Sequence, residues 1–354
     1  VKTLTVGIAG TAKNTGKTTA TMALLEYLRN PGICIGITSI GYDGERVDNV
    51  TGLPKPRIYL EAGSLVAVSE GCLPAGSARV KVLDRTGIKT PLGEIVCGQV
   101  AKGGLMVLAG PNQSRHLREI LQWMSVQGAD LVMVDGALNR VAPMAETDGI
   151  ILCTGASYTT DLDRLSLETH SLGVICSLPG GAEIPGAAHV EGKSVLWNRD
   201  GVILAELPGL LLEAGCVKAM SCLAGEAGGL YCPGLVSPAI LEALAGLPFR
   251  EGMTYVFEDP MKLVLSGGPL TARRFVDRVS QREGRVVFRK SLPLAAVAVN
   301  PFYPCYRYET NHYQPAFIDR DLLVSKIKCS VNVPVFDVVR DGPGGLAGAL
   351  KSLA

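Results

Sequence analysis

The chain has 354 residues, 47% of them hydrophobic and 19% charged, with a formal net charge of +1. That length suits two ordinary domains, and that composition excludes a disordered chain. The near-neutral charge excludes a strong field for nucleic acid or acidic lipid, and no run of eighteen apolar residues is present to span a membrane.

The N-terminus is a short apolar strand pattern with neither a basic region nor a cleavage site, so no signal peptide is expected. The ten cysteines form no C-x-x-C pair, and several lie inside apolar runs, as Cys153 does. Reduced, buried thiols and a cytoplasmic location are the expectation.

Residues 3–9 read as a buried strand, residues 10–16 as a loop and residues 18–29 as a helix stopped by Asn30-Pro31-Gly32. A second apolar strand fits 33–40. This order predicts an α/β fold, a parallel sheet flanked by helices. Residues 56–108 differ: alternation in 77–84 and 93–100, with Gly and Pro between, predicts hairpins in an antiparallel insertion or edge.

A strand reaching Ala109, a turn at 110–112, a helix at 114–126 and a strand at 131–134 resume the pattern. Strands fit 149–153 and 173–177, with a helix near 159–171 between them. A linker at 179–188 then divides a nucleotide-binding domain, 1–180, from a second, smaller α/β domain, 186–354. In the second, strands fit 194–197, 202–206, 254–257, 262–265, 286–289 and 294–299, and helices 237–246, 270–282 and 319–329.

Gly10-Thr-Ala-Lys-Asn-Thr-Gly16-Lys17-Thr18 is close to the phosphate-loop pattern G-x-x-x-x-G-K-[ST], with one extra residue between the glycines. Glycines let backbone N–H groups turn inward around phosphate oxygens, and the helix start adds its positive end. The expected nucleotide site is therefore Gly10, Thr11, Ala12, Lys13, Asn14, Thr15, Gly16, Lys17, Thr18 and Thr19. Lys17 would reach the outer phosphates and Thr18 would offer its hydroxyl to magnesium. Lys13 either neutralises phosphate or is solvated. Arg140, in the loop with Asn139, would face phosphate or substrate.

Asp43 and Glu45 follow the second strand at the carboxyl end of the sheet, where open α/β sheets bind ligands. They would hold magnesium or order its waters; otherwise they are turn acids. Asp135 ends an apolar strand in Asp-Gly, the place from which an acid touches magnesium in nucleotide-hydrolysing folds. Lys17 and Asp135 are thus the candidate catalytic pair, and Thr18, Asp43, Glu45 and Asp135 the candidate magnesium set. Arg115 is a weaker candidate beside a turn. The four histidines pair in no metal-binding motif, and no G-x-S-x-G element is present. No guanine-reading motif is evident, which leaves ATP as the expected nucleotide.

The first 180 residues resemble the SIMIBI-type P-loop ATPases, the group of dethiobiotin synthetase, the cobyric acid synthase ATPase domain and cobalamin-dependent mutase chaperones. The matching residues are 10–19, Asp43 with Glu45, and Asp135-Gly136. The resemblance implies Mg-ATP at the sheet end and a homodimer with composite sites. Many members carry a signature lysine where this chain has Ala12, with Lys13 one position later.

More narrowly, residues 9–19, 38–45 and 134–140 resemble the family of small subunits of lysine 5,6-aminomutase reactivases. That likeness implies ATP-dependent rescue of a cobalamin-dependent aminomutase, which would be the protein partner together with a second reactivase subunit. An ATP-dependent ligase or kinase acting on a small carboxylate or amine, and a nucleotide-binding module without turnover, remain open alternatives.

Overall fold

A computed structural model describes residues 2–29, 32–41, 58–137, 142–186, 192–207, 214–249, 251–309 and 311–353. In chain order, β1 (Leu4–Gly10) leads into α1 (Lys17–Tyr27) and β2 (Ile35–Ser39). Then follow β3 (Ile58–Leu60), β4 (Leu65–Ser69), β5 (Arg79–Thr90), β6 (Gly93–Lys102) and β7 (Gly104–Met106). Next come α2 (Ser114–Val126), β8 (Leu131–Ala137), β9 (Gly149–Gly155) and α3 (Leu162–Cys176).

The chain continues through β10 (Ser194–Asn198), β11 (Ile203–Leu207), α4 (Ala214–Ser221), β12 (Ala227–Cys232) and α5 (Pro238–Gly246). β13 (Thr254–Phe257), α6 (Pro260–Leu265), α7 (Pro269–Ser280) and β14 (Arg285–Phe288) follow. The last stretch holds β15 (Leu294–Asn300), β16 (Phe302–Arg307), β17 (His312–Phe317), α8 (Arg320–Lys328), β18 (Val335–Phe336), α9 (Val338–Asp341) and α10 (Gly344–Ala349).

These elements form two compact units: Val1–Ser166 with Pro293–Ala354, and Leu167–Leu292. The expected division at 180–186 is corrected by this result. The chain leaves the first unit within α3 and returns at β15, which pairs with β9 in parallel, Val297 opposite Leu152. Residues 293–354 therefore belong with the first unit, and only 167–292 form the second.

The first unit is an α/β structure around a nine-stranded sheet in the order β18-β15-β9-β1-β8-β2-β4-β6-β5. Pairing is parallel from β18 through β4, and antiparallel where the long β5–β6 hairpin extends the edge. The apolar runs dictate this. Val6, Ile8, Ile37, Met133, Val134, Ile151 and Leu152 are all essentially inaccessible, as strands covered on both faces must be. The antiparallel hairpin expected in 56–108 is present, while β4 joins the parallel part.

Helix α1 contributes Ala20 and Leu24 to the core that also takes Val338 of α9, Leu346 of α10 and Leu350. Full burial of a Val or Leu side chain such as these contributes about 1.5–3 kcal/mol. The C-terminal tail thereby holds in place the helix that begins at Lys17.

The second unit has a five-stranded sheet in the order β11-β10-β12-β13-β14, parallel among its last three strands. Two expected strands are helical. Residues 173–177 fall mainly within the end of α3, and 262–265 within α6. Both are short apolar runs, whose period cannot separate a buried strand from a buried helix. Asp259 caps α6, accepting a hydrogen bond from Lys262 N at 2.9 Å. It is 3% exposed, and burial pushes its carboxyl up to about 6.

Among the described residues no helix is long and apolar enough to cross a membrane. All ten cysteines are free thiols, five of them buried (Cys72, Cys97, Cys153, Cys176 and Cys232).

Candidate functional site

β1 lies at the middle of the first unit's sheet, between β9 and β8, and ends at Gly10, in register with Cys153 and Ala137. The next six residues turn back into α1. Thr11 N donates to Cys153 O at 3.0 Å, and the Thr11 and Thr154 hydroxyls meet at 2.9 Å, which anchors the start of the turn to β9. The Thr15 hydroxyl donates to Ala12 O at 3.0 Å, inside the loop, and Thr15 is buried. Asn14 (φ 62°) and Gly16 (φ 90°) are left-handed, and with them the chain curls tightly enough to begin a helix at Lys17.

Lys17 folds back over the loop. A Cβ built on Gly10 would stand 2.5 Å from Lys17 Cδ and 2.7 Å from its Cγ, so only glycine leaves room for the stem. Among the described residues, no acceptor faces the backbone N–H groups of Asn14 to Thr18. Five donors, a helix start and an ammonium group on one turn make an anion-binding arrangement.

Asp135 lies on β8, opposite Ile8 of β1 and Ser39 of β2, and Ile40 N donates to its carbonyl at 2.7 Å. Burial pushes the Cys153 thiol up to about 12; the Asp135 carboxylate pushes the same way and the Lys17 ammonium opposes. Gly10 and Cys153, in register, mark the carboxyl end of β1 and β9, and Asp135 lies two residues before the end of β8. Thr18, in the first turn of α1, and Asp135 are half-buried and supply a hydroxyl and a carboxylate, the oxygen donors a hard divalent cation takes.

The remaining expected residues divide as follows. Gly10, Thr11, Ala12, Lys13, Asn14, Thr15, Gly16, Lys17, Thr18 and Thr19 are contiguous on the turn and the first turn of α1, with Lys13 and Thr19 exposed. Asp43, Glu45, Asn139 and Arg140 lie outside the described residues. Arg115 is 82% exposed and pairs with Glu119 at 3.0 Å along α2, so it belongs to a solvated helix face.

Asn300, at the end of β15, is a site residue the sequence reading missed. Its Nδ2 donates to Asn14 O at 2.8 Å, and its Cβ lies 3.4 Å from where a Cβ on Gly16 would be. The signal was a lone polar residue closing the apolar run 294–299 before Pro301. Assigned to the wrong domain, it carried no message. No protein-family model, curated protein or solved structure matches the chain.

Proposed function

We propose that the 10–18 turn is a phosphate-binding loop and that the protein is a Mg-ATP-binding P-loop ATPase. One observation carries this reading: Lys17 lies across Gly10 at the carboxyl end of a central parallel strand, with the amides of 14–18 on the same turn. In it, the amides and Lys17 hold the phosphates, and Thr18 and Asp135 hold magnesium, with Asp43 and Glu45 completing the set. Magnesium would neutralise charge developing on the transferred phosphoryl group.

The action we propose is ATP-dependent reactivation of a cobalamin-dependent aminomutase. This step rests on the likeness of residues 9–19, 38–45 and 134–140 to reactivase small subunits. The test is phosphate release from Mg-ATP by the full chain, alone, with such a mutase, and with small carboxylates or amines. Stimulation by the mutase supports reactivation. A stoichiometric phosphorylated or condensed product in its place establishes a ligase or kinase.

A further inference from the structure

The hairpin β16–β17 starts two residues beyond the end of β15, at the same carboxyl end of the sheet as the 10–18 turn. Its closing bond, Ile318 N to Pro301 O at 3.0 Å, makes 301 and 318 a hydrogen-bonded pair. By alternation, Phe302/Phe317, Pro304/Pro315 and Tyr306/Tyr313 are non-hydrogen-bonded pairs sharing one face. That face is a ladder of rings and prolines: Phe302 and Phe317 are 5.8 Å apart edge to face, Tyr306 and Tyr313 5.1 Å. Phe317 is 64% exposed. The outward N–H positions on both strands include the two prolines, which blunts strand addition.

A two-stranded ribbon is marginal alone, so its order depends on its root. The root is Asn300. Its Nδ2 donates to Asn14 O at 2.8 Å, while its Oδ1 accepts from Phe302 N at 3.2 Å. A second tether, Ser157 Oγ to Phe302 O, measures 3.0 Å. One amide thus joins the carbonyl of a left-handed loop residue to the first residue of the hairpin.

We propose that Asn300 couples occupancy of the 10–18 turn to the order of the β16–β17 hairpin, making the hairpin a nucleotide-sensitive element. The inference rests on the phosphate-loop reading above. Phosphate held by the amides of 14–18 fixes the Asn14 peptide, which fixes Asn300, which fixes Phe302 N. No covalent step is involved; the coupling is a transfer of order.

The test is hydrogen–deuterium exchange of the full chain with and without saturating Mg-ATP, with calorimetry on the same samples. Nucleotide should slow exchange in 302–317 about fivefold, the factor one ordinary hydrogen bond supplies. Asn300→Asp keeps the acceptor for Phe302 N and loses the donor to Asn14 O; at saturation it should lose the slowing. Ser157→Ala should keep Mg-ATP affinity and show a reduced slowing.

Heat of binding with unchanged exchange at 302–317 overturns the coupling and leaves the nucleotide reading standing. Wild-type slowing in saturated Asn300→Asp overturns Asn300 as the link. No heat of binding in the wild type overturns the nucleotide reading and the coupling with it.

Discussion

The stem of Lys17 occupies the space a side chain on Gly10 would need: a Cβ there would lie 2.5 Å from Lys17 Cδ. The two residues are seven positions apart, and the turn between them exists to bring them together. The atoms in the way are the middle of the Lys17 side chain and, at 2.9 Å, the hydroxyl of buried Thr15, with no backbone among them, so a methyl group at position 10 would displace Lys17 and press on the loop.

Gly10→Ala is therefore expected to leave the fold intact and to weaken Mg-ATP binding at least about tenfold, since one charge-assisted contact to phosphate is lost or misplaced. Circular dichroism and calorimetric titration separate the two effects. Full affinity in a folded variant would show that Lys17 does not act on phosphate.

Asp135 gives a different prediction. On the proposed reading its carboxylate acts through the metal, so Asp135→Asn should depress hydrolysis more than nucleotide binding. Single-turnover phosphate release and equilibrium titration give the two numbers. Equal losses in both would point to a structural role for Asp135 on β8.

Asp259, in the second unit, yields a pH prediction. Burial first, opposed by the Lys262 and Met261 amides, raises its folded carboxyl to about 6. The unfolded carboxyl titrates near 4. Between those values the folded state keeps a proton that the unfolded state has released. Stability supplied by this group is thus full below about pH 4 and is lost as pH rises to about 6, by about 3 kcal/mol at most. Asp259→Asn retains an oxygen to cap α6 and removes the titration. Thermal unfolding of that variant should be flatter across pH 4–6 than that of the wild type, and an identical slope would rule out the assignment.

The thiols supply a further check. Cys222 and Cys329 are exposed, whereas burial pushes Cys153 and Cys232 up to about 12. Brief maleimide treatment of the native chain near neutral pH should label Cys222 and Cys329 and spare Cys153 and Cys232. Early labelling of Cys153, detected by peptide mapping, would mean that the end of β9 opens.

The strand, turn and helix at 4–27 were legible because all their signals are local: an apolar run, glycines at the bends and a helix start. The same holds for Asp135, which ends a run of Leu-Val-Met-Val. The discontinuous first unit was not legible. Nothing near residue 294 states that this strand pairs with β9 and not with a neighbour in its own stretch of chain.

Asn300 was missed for the same reason. Its partner Asn14 is 286 positions away, and only the sheet order joins them. Runs such as 262–265 were misread as strand because Asp259 and Pro260 form a helix start that a short apolar stretch does not advertise by its period.

Titration of Mg-ATP into the full chain and into Lys17→Ala, followed by calorimetry, reaches the central claim most directly. The wild type should give a saturable heat with about one nucleotide per chain, and the variant, equally folded, should give none. A wild type without binding heat, or a variant that binds as the wild type does, contradicts the account.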